Sequence, residues 1–285
     1  MPPHAWRRRL RWLGLALGLG LLGWAVLRAG AVLPPPSLWR EHGPAMLLLA
    51  ALVGANLIAT GALFWLITRS FSALPPVPLP RMIELVAASA LINYLPLGWP
   101  GPAARSAWLK LRHNLPIRQS LIILGIVLTL SVILALGVLL LLGLHTPWAR
   151  LLAALMGLGL LSVLTARLAP VFLHRPTPAA WAWAPFKALD LLLGALRLWL
   201  AFRIIGLPIG LADALALGAA DMVVSMLAIT PNGLGLSEWA VGFLASTLHL
   251  ASSPQAQLAK LVDRGLSVLV IIPAGLGCLR RLRAQ

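Results

Sequence analysis

Long apolar runs, separated by short polar or proline-rich connectors, extend from one end of the chain to the other. A helix that spans the hydrocarbon core of a membrane needs ~20 consecutive, mostly apolar residues. The pattern therefore predicts an all-α, polytopic membrane helix bundle of about eight spans. The predicted spans are 12–33, 43–68, 121–144, 151–169, 189–206, 209–229, 239–250 and 261–279. The run 239–250 is short for a full crossing, and the topology around it changes by one crossing if it is re-entrant.

One further segment, 82–104, is interrupted. It is moderately apolar, contains Glu84, Asn93 and Tyr94, and breaks at the prolines and glycines between positions 96 and 102. Basic residues flank it at both ends, which indicates that both ends lie on the cytoplasmic side. We therefore predict a re-entrant hairpin, in which one helix enters the membrane, a Pro/Gly turn reverses the chain and a second helix returns. Irregular backbone is tolerated at this depth only where protein or a water-filled cavity satisfies it.

Composition and charge support insertion into a membrane. Apolar residues make up 60% of the chain and charged residues 11%, whereas soluble domains average ~45–50% and ~25%. The net charge of +16 comes mostly from basic residues at the ends of apolar runs, where they set topology. Nucleic-acid binding is therefore not expected. The distribution predicts a multi-pass protein of the bacterial plasma (inner) membrane with both termini in the cytoplasm.

Some charged residues fall within the predicted spans. Lys187 is assigned to a cytoplasmic loop, but Asp190 and Arg197 lie inside the fifth span. Because these two are seven residues apart, they share nearly one helix face, and we expect them to pair with each other or with the helix of Asp213 and Asp221. Three more charged residues are expected near the outer face or inside the bundle: Lys260, Asp263 and Arg264. The alternative to a functional site is a buried structural ion-pair network.

Two broken segments, 93–105 and 229–238, share one pattern. Each contains Pro-x-Gly, a second glycine and then a charged residue, which is Arg105 in the first and Glu238 in the second. Proline and glycine end a helix, and the helix that restarts offers unpaired N–H groups and a positive dipole end to an anion. Paired broken segments in the two halves of a hydrophobic chain point to a transport site. The alternative is that both are tight loops at helix ends.

The charged residues of these motifs have defined candidate roles. Arg105 can hold a phosphate with two parallel hydrogen bonds. Glu238 can pair with Arg105, take up a proton or balance a cationic headgroup, and Asp221 can balance the headgroup or couple to protons. The alternative is an interfacial arginine and a glutamate at a helix N-terminus, each in water.

Signatures of catalysis and of metal binding are missing from the sequence. It contains no P-loop, no Gly-x-Ser-x-Gly and no dinucleotide-binding fingerprint, and the histidines lack metal-ligand spacing. Enzymatic activity, a cofactor and a metal are therefore not expected. We treat residues 1–285 as one transmembrane domain, with a first half at about 10–169 and a second half at about 186–280.

The broken segments resemble motifs in the transmembrane region of lysylphosphatidylglycerol synthases and of their stand-alone, flippase-like relatives. The resemblance rests on 93–105 with the following Leu109-Lys110, on 231–238 and on Asp263-Arg264, and it covers most of the chain. It implies a two-part bundle with re-entrant helices and a lipid-handling role. Two departures occur: Asn232 replaces a glycine of many members, and Pro-Ala-Ala at 102–104 replaces an acidic residue. The soluble aminoacyl-transferring domain is absent, so synthase activity is not expected.

Motifs and resemblance together predict a protein that binds and flips an anionic or glycosylated lipid, with an anionic phospholipid or a polyprenyl-phosphate-linked lipid as its partner. The candidate substrate-binding residues are Asn93, Pro96, Gly98, Gly101, Arg105, Lys110, Asp221, Pro231, Gly233, Gly235, Glu238 and Arg264. One alternative is a non-transporting accessory protein that scaffolds a separate synthase or glycosyltransferase of envelope lipid or polysaccharide assembly. Another is a membrane-embedded transferase acting on a polyprenyl phosphate, although a donor-binding motif is missing. A homo-oligomer is also left open.

Overall fold

A computed structural model describes residues 3–71, 77–95, 100–141, 147–173, 177, 179–227 and 230–283. These residues form α-helices, two short 3₁₀ turns and connecting loops, and no strand occurs among them. The all-α prediction is confirmed. The helices are α1 (Pro3–Gly30), α2 (Pro36–Glu41), α3 (Gly43–Arg69), α4 (Leu79–Ile92), α5 (Pro100–His113), α6 (Ile117–Leu141), α7 (Pro147–Leu173), α8 (Trp183–Ile204), α9 (Leu211–Met226), α10 (Leu236–Thr247) and α11 (Ser253–Arg283).

Five helices in the described part of the chain are long and apolar enough to cross a membrane. They are Trp12–Gly30, Gly43–Arg69, Ile117–Leu141, Leu152–Val171 and Ser253–Arg283. They correspond to five of the eight predicted spans, and the last of them begins before the predicted position 261. The chain is therefore built like a helical membrane bundle, while the count of eight crossings stays a prediction.

The other three predicted spans coincide with α8, α9 and α10. The 22 residues of α8 include several charged side chains, and α9 has 16 residues. With 12 residues, α10 is about 18 Å long at 1.5 Å per residue, well below the ~30 Å thickness of the hydrocarbon core. This helix is too short to cross a bilayer on its own.

The helix–break–helix pattern predicted for 82–104 is present. Helices α4 and α5 pack against each other on the two sides of the break. The middle of the break, 96–99, which contains the predicted site residues Pro96 and Gly98, lies outside the described residues. The second broken segment joins α9 to α10 in a similar way, so the bundle contains two short-helix hairpins.

Three buried apolar clusters occur in the described part of the bundle, and polar side chains lie between the two larger ones. The first cluster includes Leu63 of α3 and Trp183 at the start of α8. The second includes Val53 of α3 and Leu198 of α8. Five polar residues lie between these positions on the two packed helices: Asn56 and Thr60 on α3 and Lys187, Asp190 and Arg197 on α8. A layer of polar and charged side chains therefore lies between the two larger apolar clusters.

Candidate functional site

The second broken segment has an unusual backbone. A 3₁₀ turn spans Pro231–Gly233. Two of its residues have positive φ, Asn232 (49°) and Gly233 (68°), and so does Gly235 (76°), directly before α10. Asparagine is among the few non-glycine residues that enter the left-handed region readily. Asn232 is therefore compatible with this backbone, and α10 begins directly after Gly235.

Helix α1 packs directly on this turn through two glycines. A Cβ atom added to Gly235 would collide with the Gly18 carbonyl oxygen and would lie 2.6 Å from Leu21 Cβ. A Cβ added to Gly18 would lie 3.0 Å from Thr230 Cβ. A side chain at Gly235 would therefore force a shift of α1, and one at Gly18 would make a tight contact, so the two backbones approach closely at these glycines. The sequence motif contained Gly235 but gave no signal for its partner Gly18.

Arg264 of α11 satisfies groups that the break leaves free. Its guanidinium pairs with Oε1 of Glu238 and donates to the carbonyl oxygens of Asn232 (3.2 Å) and Gly233 (3.3 Å). Glu238 is fully buried, and its Oε2 has no hydrogen-bond partner among the described residues. The structure thus brings together two predicted site residues, Glu238 and Arg264, and gives Glu238 a partner other than Arg105.

Lys260 and Asp263, which lie four residues and one residue before Arg264 on α11, are buried inside the bundle. Lys260 Nζ bridges Asp221 Oδ2 at 2.8 Å and Asp263 Oδ2 at 3.0 Å. The hydroxyl of Ser237, beside Glu238 on α10, donates to the other oxygen of Asp221. Of the two locations that the sequence left open for Lys260 and Asp263, the structure selects the interior. Asp221, a predicted site residue, is thereby tied to the second broken segment.

Arg197 connects this group to α3. It pairs with Asp263 at 2.8 Å and donates to Ser267 Oγ at 2.6 Å and to Asn56 Oδ1 at 3.2 Å. Asn56 donates in turn to Asp190 Oδ1 at 2.6 Å. The expectation that Arg197 pairs with Asp190 or with the helix of Asp221 is wrong, because α11 supplies a closer carboxylate. Asp213 lies at the exposed start of α9, where its carboxylate accepts a hydrogen bond from the backbone N–H of Gly210.

Asp190 pairs with Lys187 instead. The Lys187 ammonium lies 2.6 Å from Asp190 Oδ2, and Thr60 donates to Oδ1 at 2.8 Å. Lys187 is buried, so its assignment to a cytoplasmic loop is wrong. The signal that could have found it is the spacing of 187, 190, 194 and 197, which repeats every three or four residues along one helix face.

The resulting network is charge-balanced. Four basic side chains (Lys187, Arg197, Lys260 and Arg264) meet four acidic ones (Asp190, Asp221, Glu238 and Asp263). The network joins α3, α8, α9, α10 and α11. Buried charges are tolerated when they are paired and hydrogen-bonded, and each of these eight side chains has an ion-pair partner.

A cavity of about 240 Å³ lies between α8 and α9, against this network. Its lining includes Lys187, Asp190, Gly194 and Arg197 from α8 and Asp221 and Ser225 from α9. A Cβ at Gly194 would meet nothing within 4 Å, so the missing side chain of this glycine contributes to the open volume. The cavity therefore presents charges of both signs to whatever enters it.

The first broken segment is built differently. Oδ1 of Asn93 accepts a hydrogen bond from the backbone N–H of Gly101 at 2.9 Å, which closes the hairpin at the start of α5. A Cβ on Gly101 would collide with the Asn93 side chain and with the Ser89 carbonyl oxygen. Both predicted site residues therefore have a structural part in the hairpin.

Arg105 lies apart from the charge network. It is 8% exposed, and its guanidinium carbon lies 3.5 Å from the ring centroid of Phe64 on α3. No carboxylate among the described residues pairs with it, in keeping with the missing acidic residue at 102–104. Lys110, further along α5, is exposed.

The tips of the two broken segments meet. The side chain of Tyr94, directly after Asn93, lies close to the side chain of Asn232. The same phenol lies close enough to Arg264, Arg197 and Lys260 to interact with their charges. The two hairpins are thus in contact beside the charge network.

The chain matches no protein-family model, no curated protein and no solved structure. The family resemblance drawn from the motifs therefore stays a prediction.

Proposed function

We propose that this protein binds the headgroup of a phosphate-bearing membrane lipid in the cavity between α8 and α9 and moves the lipid between leaflets. The observation that carries the proposal is a cavity of about 240 Å³ inside an otherwise mostly apolar bundle, lined by Lys187, Asp190, Arg197 and Asp221. Such a cavity gives a polar headgroup a place among helices whose outer surfaces suit acyl chains.

The free-energy cost of placing charges inside a membrane supports a functional role for the layer of charged side chains. A charged residue at the centre of a membrane helix costs roughly 2.5–3.5 kcal/mol on insertion scales, and such residues commonly mark substrate pathways. Replacing buried ion pairs by well-packed apolar residues is often neutral or stabilising. A layer of eight charged side chains is therefore an inefficient way to stabilise a bundle, and a polar ligand gives a reason for it.

The two broken hairpins beside the cavity support movement of the ligand. Broken helices at the interface of two halves are a feature of transport sites, because the ends of the half-helices face the substrate and one half moves against the other around the site. The resemblance to flippase-like proteins points in the same direction. The bacterial inner membrane and cytoplasmic termini remain parts of this proposal, with Arg105 as a second candidate contact for phosphate. The lipids expected from sequence, an anionic phospholipid or a polyprenyl-phosphate-linked lipid, are two candidates for the phosphate-bearing lipid.

A liposome assay tests the proposal. Purified protein is reconstituted with fluorescent lipids, and their transfer to the outer leaflet is followed by chemical quenching. We expect wild type to accelerate transfer, and we expect Gly194→Leu to abolish the acceleration because its side chain fills the cavity. Gly125→Leu is the matched control, since a Cβ at Gly125 also meets nothing within 4 Å and this exposed position on α6 is outside the cavity lining. Inactive wild type, or an active Gly194→Leu variant, would contradict the proposal.

The charge balance of the network also fits the alternative of a non-transporting scaffold, since a neutral network can serve structure alone. That alternative predicts co-purification of a synthase or glycosyltransferase that survives Arg105→Ala and Glu238→Gln. It also predicts wild-type liposomes without lipid transfer.

A further inference from the structure

The ammonium of Lys187 has unused hydrogen-bonding capacity. Lys187 is 6% exposed, and its one hydrogen bond among the described residues goes to Asp190 Oδ2 at 2.6 Å. An ammonium has three N–H donors. The other oxygen of Asp190 already accepts from Asn56 and Thr60. Buried donors favour partners, and the cavity that Lys187 lines is where its further N–H groups can find an acceptor.

Asp221 offers the opposite capacity across the same cavity. Its side chain is 21% exposed and pairs with Lys260 through Oδ2, while Oδ1 accepts from Ser237. An ionised carboxylate has about four acceptor positions, so these two bonds leave lone pairs for a donor in the cavity. One wall therefore supplies donors and the other wall supplies acceptors.

The charges around the cavity sum to zero. Lys187 and Arg197 line it together with Asp190, Asp221 and Asp263, and Lys260 binds two of these carboxylates from behind. A net-anionic headgroup would add an uncompensated charge to a balanced, poorly solvated site, whereas a headgroup with one charge of each sign would not. The charge balance of the cavity therefore favours a lipid whose headgroup has no net charge.

We infer that the cavity selects a zwitterionic phospholipid headgroup, with the phosphate at Lys187 and the ammonium at Asp221. The inference rests on the proposed function and deepens it, and it differs from the net-anionic lipid expected from sequence. The volume of about 240 Å³ is several times the ~30 Å³ share of one water molecule in the liquid. A phosphate with a short amine therefore fits, and the acyl chains stay outside the charged lining.

The inference is tested by comparing the binding of a zwitterionic and a net-anionic phospholipid. Wild type in detergent is titrated with phosphatidylethanolamine and with phosphatidylglycerol of identical acyl chains, and bound lipid is counted by native mass spectrometry. We expect phosphatidylethanolamine to bind at least about tenfold more tightly. Asp221→Asn should remove this preference, because a neutral amide no longer favours the ammonium. Asp213→Asn, on the exposed start of the same helix, is the matched control and should keep it.

A second variant tests the phosphate contact. Lys187→Met alone would leave Asp190 without its cation, so the double variant Lys187→Met with Asp190→Asn is used, which remains neutral. We expect binding of both phospholipids to weaken at least about tenfold. If the double variant does not fold, Asp221→Asn carries the test. Equal or tighter binding of phosphatidylglycerol to wild type would overturn the inference and leave the proposed function standing. Binding of neither lipid would count against both.

Discussion

The two broken segments carry the same sequence pattern but are satisfied in different ways. In the first, a neutral amide closes the break, since Asn93 accepts from the N–H of Gly101. In the second, a guanidinium does so, since Arg264 donates to the carbonyl oxygens of Asn232 and Gly233. The charged residue that follows each break also differs: Arg105 packs on an aromatic ring, whereas Glu238 is one half of a buried ion pair.

This difference shows that matching motifs need not supply matching site residues. The second segment is fastened to α11 and, through it, to a network of five helices. The first segment packs on α3 and α11 through α4, but its break is closed by a hydrogen bond within its own hairpin, and Arg105 forms no ion pair with a described residue. Substitutions in the second segment should therefore affect the whole bundle, and substitutions in the first should have smaller effects.

The largest effect is expected for Arg264→Met. The change leaves Glu238 fully buried without its cation and removes the donor from two carbonyl oxygens. Removing one partner of a buried pair destabilises by about 3–5 kcal/mol, which should lower the unfolding midpoint in detergent strongly. Adding Glu238→Gln should recover part of the loss, because the uncompensated charge disappears. A midpoint that Arg264→Met leaves unchanged would show that the pair does not hold the second segment.

A smaller loss is expected for Gly235→Ala. The residue has a φ of 76°, and its new Cβ would press against α1. Strained positions of this kind cost about 1–3 kcal/mol. Gly23→Ala, on the same α1 but with open space around it, should have little effect in the same thermal unfolding measurement. Equal midpoints for the two variants would argue against close packing of α1 on the turn.

In the first segment, Asn93→Ala should destabilise by about 1 kcal/mol, the typical value for losing a side-chain acceptor at a helix N-terminus. Asn93→Asp keeps an acceptor in place, beside the positive end of the helix dipole, and should retain most of the stability. Chemical unfolding of both variants beside wild type measures the difference. If the aspartate variant loses as much as the alanine variant, the closing hydrogen bond is not what holds the hairpin.

The smallest effect on stability is expected for Arg105→Met. Among the described residues Arg105 has no ion pair to lose. Its contact with Phe64, worth up to ~2 kcal/mol when desolvated, is offset by relief of the buried charge. We expect the free energy of unfolding to change by less than about 1 kcal/mol. For Arg264→Met, by contrast, we expect a loss of about 3–5 kcal/mol. Equal losses of stability in Arg105→Met and Arg264→Met would contradict the proposed difference between the two broken segments.

Much of the fold follows from local sequence patterns, and much of the site does not. Run length predicts the five long helices, and the prolines and glycines with flanking charges predict the α4–α5 hairpin. The partners of Arg197, by contrast, are 66 to 141 residues away in sequence, and no local pattern encodes such pairing. The prediction for Lys187 is wrong because a basic residue next to an apolar run is assigned to a loop by charge alone. Charge alone does not show that the first turns of α8 are buried in the bundle.

The contacts that glycines make with distant helices are also not encoded in the neighbouring sequence. The Pro-x-Gly pattern identifies Gly235 as a turn residue, since its φ is a local property. Its contact with Gly18 depends on how α1 packs across more than two hundred residues of sequence, and nothing near Gly18 distinguishes it from the other glycines of that helix.

The central claim is that the charged cavity between α8 and α9 holds a lipid headgroup. Lipid analysis of purified wild type, Gly194→Leu and Gly125→Leu tests it most directly. We predict that one class of phosphate-bearing lipid is enriched over the bulk membrane in wild type and in Gly125→Leu and is lost in Gly194→Leu. Wild type without any enriched lipid, or equal enrichment in all three proteins, would contradict the claim.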